Sequence, residues 1–210
     1  NLPDGDSLSE AALEEPAAIG LYGLTRAPGG PGANLPVVGT GPIGLGGMAC
    51  AKGLGAGKTI LAGRKDEKLE IGRRMGADIL VNMAREDLYE VVMRETEGRG
   101  MDVIMDTTGA AELFNGMLRL LRASGTLVIP GFYERPIESA MLDRLIARNC
   151  TLVGAAGTPN MGRKVLDMLA YGHAQLSPMI TDRFPFDDVL AAFAAMTERG
   201  ERRVKIMVDF

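Results

Sequence analysis

The sequence is poor in the residues that build disulfide frameworks and metal sites. Its 210 residues include two cysteines and one histidine. Cys50 and Cys150 lie far apart, and neither belongs to a CxxC pair. This spacing argues against a disulfide framework and against a structural zinc ribbon. We therefore expect a reducing compartment, of which the cytoplasm fits best.

Long apolar runs and charge of one sign are also missing. No apolar run approaches the roughly 20 residues that span a bilayer. The opening segment 1–15 is acidic, whereas a signal peptide starts with positive charge. The formal net charge is −4, and acidic and basic residues are mixed along the chain. The sequence thus predicts neither a nucleic-acid partner nor a membrane partner and favours a small molecule.

The apolar residues that are present predict a layered α/β fold. They make up 46% of the chain, which is enough for a buried core. Short β-branched runs alternate with longer helical segments, which predicts a doubly wound, six-stranded parallel sheet. Because the strand cores are apolar on both faces, helices should cover both sides of the sheet. The predicted strands are Leu35–Gly39, Lys58–Ala62, Asp78–Val81, Asp102–Met105, Thr126–Pro130 and Thr151–Gly154.

The chain divides into three predicted parts. Residues 1–33 form a helical lead-in and linker, 34–157 form the sheet and its helices, and 158–210 form a C-terminal α/β tail. We expect this tail to belong to a second structural unit. Pro36 lacks an N–H donor, so the first strand should begin later or pair irregularly. The other predicted elements are helices Ser9–Arg26, Arg163–Tyr171 and Phe186–Arg199 and strand Val204–Val208.

A GxGxxG motif lies at the turn from the first strand into a helix. Its glycines allow a tight turn and the close approach of a pyrophosphate, which the helix N-terminus stabilises. The motif alone is weak evidence in a chain with 28 glycines, but its placement between strand and helix favours a Rossmann dinucleotide site. A structural turn or another nucleotide-like ligand is the alternative. The candidate residues are Gly39, Gly41, Pro42, Ile43 and Gly44.

The end of the second strand predicts which dinucleotide binds. The acid that would hold the adenosine ribose of NAD is missing there. Gly63 leaves room for a 2′-phosphate, Arg64 can hold it with two hydrogen bonds, and nearby Lys65 and Lys68 add charge. We therefore expect NADP in preference to NAD, with NAD as the second option. In the alternative, these bases are a solvated helix start beside the acids Asp66, Glu67 and Glu70.

Several separated stretches match one family in order and spacing. They are residues 11–16 with a Glu-Pro pair, 37–44, 55–56, 69–70, 75–78, 100–106, 125–128 and 180–185. As a set they resemble the zinc-dependent medium-chain dehydrogenases, in particular the branch of sorbitol, threonine and 2,3-butanediol dehydrogenases. The resemblance covers nearly the whole chain and implies its cofactor-binding half. In that family a preceding catalytic domain supplies the zinc ligands, and nothing in these 210 residues corresponds to it.

The resemblance also assigns roles to single residues. Glu15 matches a carboxylate close to the catalytic zinc, although an acid in the first turns of a helix is ordinary. Lys205 matches a basic position that reaches the pyrophosphate, and a solvated lysine is the equal alternative. We expect His173 to be a surface residue, with a general-acid role as the alternative. Loops after the last three strands match those lining the nicotinamide, through Thr107, Gly109, Gly131, Phe132, Ala155 and Ala156.

The function implied is an alcohol or polyol dehydrogenase of the zinc type. Hydride would move between the nicotinamide and a secondary alcohol or ketone, while zinc in the full-length protein polarises the substrate oxygen. By itself this chain should bind cofactor without turnover, and no residue in it is assigned as catalytic. A zinc-free quinone or enoyl reductase and a non-catalytic dinucleotide-binding module are the alternatives. We expect a homodimer or homotetramer joined along the sixth strand.

Overall fold

A computed structural model describes residues 8–197, 200 and 202–210. Its main feature is a six-stranded parallel sheet in the order β3-β2-β1-β4-β5-β6, which confirms the doubly wound Rossmann fold. The order reverses between β1 and β4, so a crevice opens at the carboxyl ends of these two strands. The strands are β1 Leu35–Val38, β2 Thr59–Gly63, β3 Ile79–Asn82, β4 Met101–Asp106, β5 Leu121–Ile129 and β6 Thr151–Gly154.

Helices cover both faces of the sheet. Successive strand residues point to opposite faces, so Val37 joins one buried apolar cluster and Val38 the other. This arrangement explains why the strand cores are apolar throughout. The helices are α1 Leu8–Ala11, α2 Glu14–Thr25, α3 Pro42–Gly53, α4 Asp66–Arg74, α5 Leu88–Glu95, α6 Phe114–Leu120, α7 Asp143–Arg148, α8 Gly162–Ala170 and α9 Val189–Thr197.

Two local expectations at proline residues were wrong. The lead-in is two helices, α1 and α2, because Pro16 has no N–H to donate to the carbonyl of Ala12 and its ring would clash there. Pro36, by contrast, lies within a regular strand whose register with β2 starts at Leu35. Its missing donor is tolerated because pairing with β4 begins only at Val37.

The tail both extends the main core and forms a small sheet of its own. Met161, Val165 and Met168 are buried in the same cluster as α2 and α3. The side chain of Glu10 ties the lead-in to the tail by accepting N–H hydrogen bonds from Leu176 at 2.6 Å and Ser177 at 2.7 Å. The second sheet pairs β7 Ile180–Pro185, which we did not predict, with β8 Lys205–Asp209 in parallel. The division at residues 33 and 157 stays a prediction.

Helices α2 and α3 approach each other backbone to backbone. A Cβ placed on Gly20 would lie 2.5 Å from the Cα of Gly47, and one on Gly46 would lie 2.7 Å from the Cα of Ala17. No side chain fits between the two helices at these points. The glycine-rich start of α3 therefore serves helix packing as well as the turn before it.

None of the described helices combines the length and the apolar character that a membrane crossing requires. The longest described helices, α2 and α3, have 12 residues each. At 1.5 Å per residue such a helix is about 18 Å long, and a transmembrane helix needs about 20 residues. The apolar character of α2 and α3 is explained by their packing in the core, where half of the residues of α2 and two thirds of those of α3 are buried.

We expect Gly20→Ala to destabilise the fold by about 1–3 kcal/mol, because the added methyl group forces the two helix backbones apart. Gly116→Ala is the matched control, since nothing lies within 4 Å of its added Cβ within helix α6. That variant should be neutral or stabilise by about 0.5–1 kcal/mol. Urea unfolding of both variants checks the expectation, and equal stabilities would contradict the close α2–α3 contact.

Candidate dinucleotide-binding site

The turn between β1 and α3 has the geometry of a phosphate loop. Gly39 has φ +116°, a conformation that side chains rarely adopt. Gly41 caps the helix in an extended conformation, and Pro42 is the first helical residue. Since the first N–H groups of a helix have no partner inside it, those of Ile43 and Gly44 are available to an anion. The loop can therefore bind a pyrophosphate.

Two of the three motif glycines are required by the protein itself. A Cβ on Gly44 would lie 2.1 Å from the carbonyl oxygen of Gly39, and one on Gly39 would lie 2.3 Å from Oγ1 of Thr107. Thr107 is held in place because its N–H and Oγ1 both donate to the Val38 carbonyl, at 2.9 and 3.0 Å. Gly41 differs, because nothing lies within 4 Å of its added Cβ. Only a ligand would meet a side chain there.

The end of β2 is arranged differently from what the sequence suggested. A Cβ on Gly63 would lie 2.5 Å from Cγ2 of Thr40, so the space we expected for a phosphate is filled by a side chain of the phosphate loop. Arg64 is exposed, and it does not line the cavity beside this position. Loop packing accounts for the glycine, and the roles of Gly63 and Arg64 at a phosphate stay predictions.

A basic cavity of about 500 Å³ lies between the start of α4 and the start of β8. Lys65, Lys68 and Lys205 line it together with Arg203, whose guanidinium pairs with Asp182 at 3.3 Å. Burial and the neighbouring Lys65 ammonium both lower the pKa of Lys68. An anion bound in this cavity would relieve that repulsion. The structure therefore joins two groups of predicted residues, one from α4 and one from the tail, in a single site.

The acids of the α4 start do not neutralise these lysines. Asp66 pairs with Arg85 at 2.6 Å, and Glu70 pairs with Arg73 at 3.0 Å. Among the described residues, no acid forms an ion pair with Lys65, Lys68 or Lys205 (residues 198, 199 and 201 are outside the description). This arrangement disfavours the interpretation of a helix start whose charges balance each other.

The loops after β4 and β5 lie against each other at the carboxyl edge of the sheet. A Cβ on Gly109 would lie 2.1 Å from the carbonyl oxygen of Phe132, and one on Gly131 would lie 3.2 Å from the Thr107 carbonyl carbon. The four predicted residues Thr107, Gly109, Gly131 and Phe132 thus form one continuous wall. The side chain of Phe132 is 85% exposed there.

The loop after β6 contributes less than its sequence position suggested. Ala155 is buried in the apolar cluster, and its Cβ lies 3.9 Å from the Cβ position of Gly23 on α2. Its side chain therefore packs into the core, and it can meet a ligand only through its backbone. Ala156 is exposed. The nicotinamide role of both residues stays a prediction.

The described residues do not form a metal site. No group of three or more His, Cys, Asp or Glu side chains comes together among them. Glu15 is exposed in the first turn of α2, and its predicted place beside a zinc ion stays a prediction. His173 is exposed, and its carbonyl packs against Gly53 at the C-terminal end of α3. That is the helix end away from the phosphate loop, which agrees with a surface role.

Several residues of the site were not predicted from the sequence. The buried Asp106 at the end of β4 accepts hydrogen bonds from the Thr108 N–H at 2.9 Å, from Thr108 Oγ1 at 2.6 Å, and from the hydroxyl of Tyr133. Burial and this carboxylate raise the pKa of Tyr133, so the phenol stays protonated. Asp106 could have been predicted from its position at the end of a strand. The sequence around Thr40 and Arg203 gave no such indication.

We expect Gly41→Ala and Gly44→Ala to separate binding from folding. The Gly41→Ala variant should keep the wild-type melting temperature and lose at least about ten-fold in dinucleotide affinity, because only the ligand meets the methyl group. The Gly44→Ala variant should lose both stability and binding. Calorimetric titration with NADPH and thermal unfolding test this pair. Unchanged binding by Gly41→Ala would show that no phosphate approaches this turn.

Comparison with known proteins places this geometry in a family. The family model "Zinc-binding dehydrogenase" matches residues 42–171. L-idonate 5-dehydrogenase of Vitis vinifera is 33% identical over 99% of this chain and 58% of its own length. The 2R,3R-butanediol dehydrogenase structure from Bacillus subtilis matches 100% of this chain and 60% of its own, with a TM-score of 0.90 and 26% identity.

A third similar protein was solved with a dinucleotide bound. It is a Sinorhizobium meliloti structure bound to NADP, with a TM-score of 0.86 and 26% identity over 99% of this chain and 61% of its own. The chain spans slightly less than 60% of the length of the first curated relatives that it matches. The family match over more than half of the chain, together with the matching fold, shows that the chain belongs to the zinc-binding dehydrogenase family.

Proposed function

We propose that this chain binds NADP(H) in preference to NAD(H), as the cofactor-binding part of an alcohol or polyol oxidoreductase. The observation that supports the preference most is the basic cavity. Lys65 and Lys68 lie close to the end of β2, where the adenosine ribose binds in a Rossmann site, and no described acid pairs with them. A 2′-phosphate supplies the negative charge that these ammonium groups lack.

The remaining contacts follow the sheet edge. The N-terminus of α3 binds the pyrophosphate with the N–H groups of its first turn. Lys205 reaches the same cavity from β8, so it can bind either the pyrophosphate or the 2′-phosphate. The wall formed by Thr107, Gly109, Gly131 and Phe132 then holds the nicotinamide. Each group of the cofactor thus has residues of matching chemistry along the carboxyl edge.

The reaction we propose for the whole protein is hydride transfer between the nicotinamide and a secondary alcohol or ketone. The similarity to proteins named L-idonate 5-dehydrogenase and butanediol dehydrogenase supports a polyol or small alcohol as substrate. In such enzymes a zinc ion polarises the substrate oxygen. The described residues do not provide a ligand set for it. We therefore propose that these 210 residues hold and orient the cofactor and do not turn over alcohol by themselves.

We also propose that the protein is a homodimer or homotetramer joined at β6. This strand is the edge of the sheet, and Thr151, Leu152 and Gly154 are exposed on it. An uncovered edge strand with an apolar side chain is a liability that pairing with a second copy removes.

Cys50 and Cys150 are both free thiols, which is in keeping with the cytoplasm.

We expect NADPH to bind the wild-type chain more tightly than NADH. Lys68→Gln should weaken NADPH binding at least about ten-fold, because it removes a charge-assisted hydrogen bond to phosphate, and should leave NADH binding nearly unchanged. Arg64→Ala should have a smaller effect, since Arg64 does not line the cavity. Parallel calorimetric titrations with both dinucleotides measure these affinities.

Lys164→Gln is the matched control for this experiment, since Lys164 is an exposed lysine on helix α8. It should change neither affinity. Equal binding of NADPH and NADH by the wild type would contradict the proposed preference. Binding of neither by a folded chain would mean that the phosphate loop is only a structural turn.

A further inference from the structure

Asp66, the acid that follows Lys65, is held by one residue at the end of strand β3 and by one residue of the segment that follows it. Asp66 is the first residue of α4, and its Oδ1 accepts hydrogen bonds from Nδ2 of Asn82 at 2.7 Å and from Arg85 at 2.6 Å. Asn82 cannot turn its amide around, because its Oδ1 accepts the Ala84 N–H at 3.0 Å. Asn82 is also 6% exposed, so its position is fixed by the core.

Strand register brings these residues together. In the β2–β3 pair Gly63 lies opposite Asn82, so the residues that follow the two strands leave the sheet side by side. Asp66 and Arg85 come from these two segments. The hydrogen bond from Asn82, and then the Arg85 guanidinium, lower the pKa of Asp66, so its carboxylate is ionised at neutral pH. A permanent negative charge therefore lies next to the proposed phosphate site, and a fixed cation compensates it.

We infer that Arg85 is a specificity-determining residue for the cofactor and that it acts through Asp66. By pairing with Asp66, Arg85 cancels the charge that would repel a 2′-phosphate between Lys65 and Lys68. This inference rests on the proposed NADP preference.

The position of Arg85 favours this indirect role over direct contact with the phosphate. Arg85 lines a different cavity, of about 450 Å³, between α5 and α6, and the lysines are not among its lining residues. The side chains of Arg85 and Asp66 are 65% and 56% exposed. An ion pair this exposed contributes little to folding stability. Removing the Arg85 charge from this pair still changes the electrostatic potential within one Debye length. A bound phosphate in that range responds to the change, because its affinity depends on the local potential.

A double-mutant cycle tests the inference. Arg85→Gln should weaken NADPH binding about three- to ten-fold, because it leaves the Asp66 carboxylate uncompensated near the phosphate. NADH binding should stay the same or tighten. Asp66→Asn alone should not weaken NADPH binding. The Asp66→Asn, Arg85→Gln double variant should bind NADPH about as tightly as the wild type, because both charges of the pair are then removed.

Arg73→Gln is the matched control, since it removes the same charge from an ion pair with Glu70 on the same helix. It should leave the NADPH affinity within about two-fold of wild type. Thermal unfolding of every variant shows whether it is folded. A double variant that binds NADPH as weakly as Arg85→Gln alone would overturn the inference, since Arg85 would then contact the phosphate itself. No loss of NADPH affinity on Arg85→Gln would overturn it as well.

Failure of the proposed function gives a different result. It would show in the wild type alone, as NADH binding that equals or exceeds NADPH binding. Failure of the inference would show in the variants, as no loss on Arg85→Gln or no recovery in the double variant, while the wild type still prefers NADPH. Repeating the cycle at high salt adds a further check, because an affinity loss on Arg85→Gln that arises from charge should shrink as the Debye length falls.

Discussion

The site depends on backbone segments that meet with no side chain between them. The phosphate loop exists because Gly39 and Gly44 leave room for each other and for Thr107 of the neighbouring strand. On the other side of α3, contact with Gly20 of α2 seats the helix against the lead-in. Together these two contacts set where the N-terminus of α3 points. The N-terminus of α3 faces the crevice between β1 and β4, which is where a Rossmann fold binds a pyrophosphate.

The second constraint is electrostatic, and the same sheet imposes it. Because β2 pairs with β3, the bases and acids after these strands can combine across the strand pair. Asp66 takes its partner from the segment after β3, so Lys65 and Lys68 keep their charges uncompensated by any described acid. The tail then adds Lys205 to the same cavity. The proposed phosphate preference thus depends on strand register as much as on the number of lysines.

Much of the fold was predictable because a strand that is buried on both faces has a continuous apolar run in its own sequence. All six predicted strands of the main sheet are confirmed, and the start of β5 was the main error. β5 already begins at Leu121, where it pairs with Met101 of β4. An irregular stretch around Ser124, with φ +58°, separates this first pair from the apolar run. Strand β7 escaped prediction because Asp182 and Arg183 interrupt its apolar residues and because it pairs with β8 at the far end of the tail. Pairing of that kind leaves no local pattern.

The site was predictable in its position but not in its internal contacts. The spacing of the GxGxxG motif places the loop, since a tight strand-to-helix turn has few sequence solutions. The packing at Gly63 could not be predicted from the sequence, because Thr40 contacts this glycine only in the folded loop. Likewise, a count of charges in the α4 segment suggests balance. The structure pairs Asp66 with Arg85, nearly twenty positions away, and Glu70 with Arg73, so the local sequence does not show which charges stay unpaired.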